Sequence, residues 1–200
     1  PIIVVGNLTI GGTGKTPLVK YIANELSKLG YKPGLVSRGY GGKFKETLKV
    51  DDSTSVKQTG DEAQILSKLN LPFYIDRNRV RAVKTLVSNH DCDIIISDDG
   101  LQHYSMNRDV EVLVIDGKRR FGNNLLFPAG PLRESKKRIN SVDFIVNNSG
   151  PTEEGEHLMN ISPAKFVHLK SGKSYPVEKW PMHKQVHSVA CLLYTSDAPY

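Results

Sequence analysis

Residues 6–17, with the sequence GNLTIGGTGKTP, constrain the fold of this chain more than any other stretch. They follow a short apolar run at residues 2–5, which is typical of a buried parallel strand, and they precede apolar residues at helical spacing. A strand, a glycine-rich turn and a helix are the context that a phosphate-binding loop requires. In such a loop, consecutive backbone N–H groups point into one cavity and the helix N-terminus adds partial positive charge.

Three side chains of this loop have separate expected roles. Lys15 is expected to reach the β- and γ-phosphates of a nucleotide, and the Thr16 hydroxyl to ligate Mg²⁺. Pro17 is expected in the first helical turn, where a backbone N–H has no carbonyl partner within the helix, so proline costs no hydrogen bond there. Because Thr9 stands where the phosphate-loop pattern has its first glycine, a glycine-rich connection without nucleotide remains the alternative. The predicted nucleotide-binding residues are Thr9, Ile10, Gly11, Gly12, Thr13, Gly14, Lys15, Thr16 and Pro17.

The composition narrows the class of protein. The 200 residues suffice for one domain, or for one domain and part of another, and the formal charge is +6. That charge suits an anionic partner such as a nucleotide, a nucleic acid or an acidic lipid surface without choosing among them. The two cysteines, Cys92 and Cys191, have no metal-binding spacing and favour a reducing compartment. No apolar run reaches the roughly 18 residues of a membrane span, and no motif supports nucleic-acid binding.

Strand and helix patterns alternate along the chain. Buried strands are also predicted at 32–37, 73–75, 93–97, 110–115 and 142–146, and helices from about 16, from 59–62 to about 69, and from 77 to about 89. Residues 43–58 are polar and predict a hairpin or a mobile loop. This order predicts an α/β fold with a doubly wound, mostly parallel sheet and helices on both faces, as in P-loop nucleoside triphosphatases.

An acidic pair follows one of these strands. Asp98 and Asp99 end the apolar run 94–97, and the carboxyl end of such a strand lies beside the phosphate loop in a parallel sheet. Carboxylates at that point are expected to hold the Mg²⁺ that bridges the phosphates. The pair also precedes Gly100, so a plain turn remains the alternative.

Other polar residues have a functional and a structural interpretation. Asp61 stands where acids often cap helices, and its own position favours a cap. Arg38 and Arg77 each follow a predicted strand, so both are candidates for neutralising phosphate at the rim of the site or are ordinary surface residues. His103 is expected either to contact substrate or to pack. Residues 127–134 contain two prolines and predict a rigid wall at the site or a solvated connector.

Two neighbouring classes fit less well. A switch GTPase is expected to carry Asn-Lys-x-Asp after a late strand, but residues 146–150 read VNNSG and lack both the lysine and the aspartate. Partitioning and metal-chaperone ATPases carry a second lysine before the paired glycines, and here that position is Ile10. A switch GTPase and a nucleotide-binding regulatory module without transfer activity remain the alternatives to an enzyme.

Five motifs stand in order along the chain, at residues 6–17, 37–40, 60–62, 98–103 and 128–134. Together they closely resemble the tetraacyldisaccharide 4'-kinase family, the lipid A 4'-kinases of Gram-negative bacteria. The resemblance extends from residue 1 to about 190, and threonine at the position of Thr9 is usual in that family. It implies ATP-dependent phosphorylation, with Mg²⁺, of the 4'-hydroxyl of a tetraacylated glucosamine disaccharide phosphate, at the cytoplasmic face of the bacterial inner membrane.

The resemblance also implies residue roles. It makes Asp61 the catalytic base, assisted by a histidine from the C-terminal part of the family's chain. Lys15 and Thr16 handle phosphates and Mg²⁺, and Asp98 and Asp99 support the metal. The positions implied near nucleotide or substrate are Arg38, Tyr40, Arg77, His103, Arg133 and Glu134.

Two departures from the family concern the ends of the chain. The family's N-terminal amphipathic helix, a peripheral contact with the membrane surface, is absent here, and after Ala190 the sequence matches nothing familiar. We therefore expect a nucleotide-binding domain over 1–185 and the start of a truncated second domain over 186–200. These residues alone are expected to bind nucleotide but to transfer phosphate at least ~10²-fold more slowly than a complete enzyme. No nucleic-acid or protein partner is predicted.

Overall fold

The computed structural model describes residues 1–163, 165–168 and 170–179, so the predicted boundary at 185 and the segment 186–200 lie outside the described residues. The strands are β1 (Ile2–Gly6), β2 (Pro33–Ser37), β3 (Leu48–Lys49), β4 (Phe73–Ile75), β5 (Ile94–Asp98), β6 (Val110–Asp116), β7 (Phe144–Asn148), β8 (Glu156–Met159), β9 (Lys165–Val167) and β10 (Ser174–Pro176). The helices are α1 (Lys15–Lys28), α2 (Val56–Thr59), α3 (Asp61–Ser67) and α4 (Arg79–Asn89), with 3₁₀ helices at Lys136–Ser141 and Val177–Lys179.

The first eight strands form one sheet in the order β3-β4-β2-β5-β1-β6-β7-β8. Every neighbouring pair in it is parallel except β3 with β4. Strand β1 lies between β5 and β6, so the segment that leaves its carboxyl end emerges in the middle of the sheet. The prediction of a mostly parallel α/β sheet is confirmed.

Successive strand residues face opposite sides of this sheet, and each side buries a helix. On one side, Leu35 and Ile96 belong to the core cluster that contains Val19 of α1. On the other side, Val36 packs with Leu86 of α4. Apolar strands covered on both faces are what a doubly wound parallel sheet requires. The predicted helices on both faces are therefore present.

Several boundaries differ from the predicted ones. Residues 43–58 do not form a hairpin of their own, because β3 pairs antiparallel with β4 and the short helix α2 follows. Helix α4 begins at Arg79, since the side chain of Asn78 caps it by accepting from the backbone N–H of Arg81 at 3.2 Å. Strand β7 begins two residues later than predicted, and β8 was not predicted. Within the described residues, no helix has the length and apolar character to cross a bilayer.

Candidate active site

The phosphate loop joins β1 to α1 with a curled backbone. Gly11 and Gly14 have φ values of 94° and 93°, which side chains with a Cβ rarely adopt. Gly14 is also the N-cap of α1, and no side chain among the described residues caps this helix. The N–H groups of the first turn are therefore left for an anion, and the helix dipole favours one there.

Two side chains from outside the loop hold its peptide planes. The guanidinium of Arg119 donates to the Gly12 carbonyl at 2.8 Å, and the Asn148 amide donates to the Thr13 carbonyl at 3.2 Å. Arg119 is itself anchored by its ion pair with Asp116, at 2.8 Å. Because Arg119, just after β6, and Asn148 of β7 bind these carbonyls, the loop is preorganised by contacts from that half of the sheet.

Lys15 and the acidic pair meet beside this loop. The Lys15 side chain is only 8% exposed, and its Nζ lies 3.5 Å from Asp99 Oδ1. Although burial opposes it, the charges of Lys15 and Arg133 hold the pKa of Asp99 below its usual value. The Lys15 ammonium is therefore buried beside an acidic side chain at the start of α1.

Asp98 is a buried carboxylate without a partner. It is 1% exposed, and neither of its oxygens accepts a hydrogen bond from the described part of the chain. Burial, followed by the negative charge of Asp99, raises the pKa of Asp98 to about 7. Buried polar atoms without partners are rare in proteins, and carboxylate oxygens are the donors that Mg²⁺ prefers. These residues fit a bound Mg²⁺, and the half-buried Thr16 is the candidate hydroxyl donor on the loop.

A buried arginine that the sequence analysis missed supports the acidic pair. The guanidinium of Arg79 donates to the carbonyl of Asp76 at 3.0 Å, and to the carbonyls of Asp98 and Asp99 at 3.4 and 3.2 Å. Burial lowers the pKa of Arg79 to about 10, so it remains charged at neutral pH. Arg79 thus fixes the backbone that carries both carboxylates.

Arg77, predicted at the rim, has a different environment. It is exposed and makes no hydrogen bond or ion pair within the described residues. Arg79 lies three and seven residues before Ala82 and Leu86, which are both fully buried on the inner face of α4. That helical spacing is the sequence pattern that places Arg79, rather than Arg77, on the buried side.

The loop that contains Pro131 runs along the phosphate loop. The backbone N–H of Ile10 donates to the Pro131 carbonyl at 2.8 Å, and that of Arg133 donates to the Leu8 carbonyl at 2.7 Å. The Arg133 side chain contacts both carboxylate oxygens of Asp99, at 2.9 and 3.0 Å. The structure therefore places this segment against the site, and not as a free connector.

Glu134 ties the loop after β5 to the phosphate loop. It accepts from the Gln102 amide at 2.7 Å and from the Tyr104 hydroxyl, and the same amide donates to the Asn7 carbonyl at 3.0 Å. His103 is half-buried, and its Nε2 lies 3.1 Å from Ser105 Oγ. Burial and the nearby charge of Arg79 lower the pKa of His103, which favours the neutral imidazole.

Gly60 lies where the start of α3 packs against the loop after β2. Its φ is 83°, and a Cβ there would lie 2.0 Å from the Tyr40 carbonyl oxygen, so only glycine fits. Gly60 is also the N-cap of α3, and Asp61 follows it as the first helical residue without capping the helix. The capping role predicted for Asp61 is therefore wrong. The Asp61 carboxylate is exposed and has no partner among the described residues.

Arg38 directly follows β2. Its side chain is exposed at the end of β2, and its charge lowers the pKa values of both Arg79 and His103. Arg38 after β2, Arg79 of α4 and His103 in the loop after β5 therefore lie close enough for their charges to interact. A phosphate loop at the end of the central strand, with an acidic pair on the strand beside it, defines this protein as a member of the P-loop nucleotide-binding class of α/β proteins.

Comparison with known proteins gives the family. The sequence model of the family described as tetraacyldisaccharide-1-P 4'-kinase matches residues 1–193, and the chain belongs to that family. A tetraacyldisaccharide 4'-kinase of Shewanella frigidimarina is 50% identical over 165 residues, which are 82% of this chain and 49% of the relative. One of Vibrio campbellii is 47% identical over 181 residues, which are 90% of this chain and 54% of the relative.

A solved structure has the same fold. The crystal structure of the "apo" form of LpxK from Aquifex aeolicus in complex with ATP superposes with a TM-score of 0.75 at 29% identity. The match covers 90% of this chain and 59% of that one. The chain spans about half the length of the curated relatives it matches.

Proposed function

We propose that this chain is the nucleotide-binding part of an ATP-dependent kinase that phosphorylates the 4'-hydroxyl of a tetraacylated glucosamine disaccharide phosphate. The observation that carries the proposal is the buried Lys15 beside Asp99 and the partnerless Asp98, and the unpaired Asp61 at the start of α3 adds a candidate base. The activity named for the family's members, and the ATP complex of the Aquifex aeolicus relative, support it.

The residues of this chain have distinct parts in such a transfer. Phosphoryl transfer needs positioning and charge stabilisation more than covalent chemistry. The N–H groups of the phosphate loop and Lys15 hold the β- and γ-phosphates. Asp98, Asp99 and Thr16 would hold Mg²⁺, which neutralises phosphate charge when bound. Arg133, now paired with Asp99, is placed to move to a phosphate oxygen as the nucleotide binds.

Asp61 is the proposed base for the attacking hydroxyl. A carboxylate with no internal partner is free to accept a proton, and Asp61 is the first residue of α3. Tyr40 and Arg38 lie on the loop that packs against Gly60, so they are the proposed contacts for the sugar and its phosphate. His103, Arg77 and Glu134 complete the proposed rim.

The lipid substrate sets the proposed location. A tetraacylated disaccharide resides in a membrane, so the protein is proposed to act peripherally at the bilayer surface. The side that supplies ATP is the cytoplasmic one, which places the reaction at the cytoplasmic face of the inner membrane. The N-terminal helix of the family is a further proposed anchor.

Product analysis tests the proposed activity. The longest native chain that contains these residues is incubated with Mg²⁺, labelled ATP and a detergent-dispersed acylated disaccharide phosphate, and we expect label at the 4'-hydroxyl. Nucleotide binding without transfer would favour the regulatory module. A preference for GTP in a binding titration would favour the switch GTPase.

The acidic pair provides a second test. We expect Asp98→Asn/Asp99→Asn to abolish the Mg²⁺ dependence of ATP binding and to leave a weaker, metal-independent component, because the amides cannot replace two hard anionic donors. Calorimetric titration of ATP with and without Mg²⁺ measures this directly. The matched control, Asp52→Asn/Asp91→Asn, alters two exposed carboxylates and should leave the Mg²⁺ response unchanged. An unchanged response in the first variant would make the pair a simple turn.

A further inference from the structure

Three consecutive large apolar side chains stand exposed beside the site. Leu125, Leu126 and Phe127, here called the apolar tip, are 51%, 52% and 62% exposed. Single exposed apolar residues are ordinary on a protein surface, but a contiguous group marks an interaction site. The mechanism proposed above does not use these side chains.

Several backbone groups around the apolar tip are paired within the loop. The Asn123 amide donates to the Ala129 carbonyl at 2.9 Å, and its oxygen accepts from the Leu125 N–H at 3.1 Å. The Gly130 N–H donates to the Leu126 carbonyl at 3.0 Å. These internal hydrogen bonds lower the cost of moving the loop into a less polar medium, because the paired groups need no water.

The sequence around the apolar tip carries the chain's excess positive charge. Residues 117–138 contain seven basic residues and one acidic residue, a net charge of +6 that equals the formal net charge of all 200 residues. Lys118, Lys136 and Lys137, here called the three lysines, are exposed and make no ion pair within the described residues. The Lys136 ammonium lies 5.1 Å from the ring centroid of Phe121, at the base of this loop.

We propose that the apolar tip and the three lysines form a docking surface for an anionic lipid bilayer. Apolar side chains that enter the interface, flanked by lysines that meet acidic headgroups, are the combination by which peripheral proteins bind such surfaces. Exposed apolar side chains beside lysines that make no ion pair in the described part of the chain fit an anionic bilayer better than a protein groove. The proposal goes beyond the kinase assignment, because none of these six side chains touches the reacting groups.

Docking there would fix the distance between the phosphate loop and the membrane. The Phe127 N–H donates to the Leu132 carbonyl at 2.7 Å, and the next residue, Arg133, donates to the Leu8 carbonyl. The apolar tip is thus connected to the phosphate loop by backbone hydrogen bonds through Leu132 and Arg133. A lipid headgroup would be presented to that site at a set height, whichever group on it reacts.

Vesicle binding tests the proposal without reference to catalysis. The protein is sedimented with vesicles of phosphatidylcholine alone and of phosphatidylcholine mixed with phosphatidylglycerol. We expect binding to the mixed vesicles, reduced at least ~10-fold by Leu126→Ser/Phe127→Ser. The matched control, Leu29→Ser/Val87→Ser, removes two side chains that are 75% and 54% exposed elsewhere and should bind as the unchanged protein does.

A second variant tests the contribution of the three lysines. Lys118→Gln/Lys136→Gln/Lys137→Gln should weaken binding to the mixed vesicles. The remaining binding should depend less on added salt. Equal binding by the apolar-tip variant and the unchanged protein, or no binding to either vesicle, would overturn the proposal. Each variant should keep the ATP affinity of the unchanged protein, which shows that it is folded. A failed vesicle test with intact ATP-dependent transfer would leave the proposed function standing.

Discussion

Replacing Asp61 with asparagine is expected to slow phosphoryl transfer by about 10²–10⁴-fold, which is the usual contribution of general acid–base catalysis. The carboxylate stands free at the start of α3, where an amide would keep the shape and the helix but would not accept the proton of the sugar hydroxyl. The affinity for ATP should not change, because Asp61 belongs to the rim and not to the phosphate loop. The kcat for the detergent-dispersed acylated disaccharide phosphate measures the loss.

The matched control for Asp61 is Asp52→Asn, an exposed carboxylate outside the site that should retain full activity. The loss is expected in the longest native chain and should be much smaller in these 200 residues alone. The resemblance implies a partner histidine beyond them, and a base and its partner act as a unit whose losses do not add. An unchanged kcat in the longer chain, or an equal loss of ATP affinity, would remove Asp61 from the role of base.

Lys15→Ala is expected to weaken ATP binding by roughly 2–3 kcal/mol, as for a lost hydrogen bond to a charged group together with an unpaired phosphate. The variant also leaves Asp99 with Arg133 as its remaining ion-pair partner in the described structure. The pKa values of Asp98 and Asp99 should both rise without the lysine charge, because that charge lowers both of them. The acidic pair would then carry less negative charge near neutral pH, where ATP and Mg²⁺ bind.

Calorimetry of ATP binding measures the effect of Lys15→Ala, and circular dichroism verifies the fold. Lys20→Ala serves as the matched control, because Lys20 lies on the exposed side of the same helix and should leave the affinity unchanged. Wild-type affinity in a folded Lys15→Ala protein would show that the loop does not use its lysine for phosphate.

The parts of the fold that could be predicted are those with a local cause. The apolar runs of β1, β2 and β5, and the glycine-lysine-threonine step, specify their structure within a few residues. Strand β8 was not predicted, because an edge strand of only four residues, EHLM, lacks a buried-strand pattern. The 3₁₀ helix at Lys136–Ser141 likewise has no periodicity long enough to show.

The contacts that complete the site depend on tertiary position. Arg133 reaches Asp99 across 34 residues of chain, and Arg79 reaches it across 20, so no local pattern could pair them. The motif around Gly60 was visible, but the close approach of the Tyr40 carbonyl that requires glycine there was not. The residue types therefore predict which residues belong to the site. The contacts between those residues depend on the folded sheet and could not be predicted.

The place of β1 in the sheet has a consequence for synthesis on the ribosome. Although β1 precedes every other strand of the sheet in the chain, its neighbours are β5 and β6, whose pairing residues begin about 90 and 105 positions later. At translation rates of about 5–20 residues per second, β1 waits roughly 5–20 s for its first partner. Strands β2 and β4 pair with each other sooner, so the nascent chain builds an edge before its centre. The phosphate loop after β1 and the acidic pair at the end of β5 can therefore meet only after β5 has been synthesised.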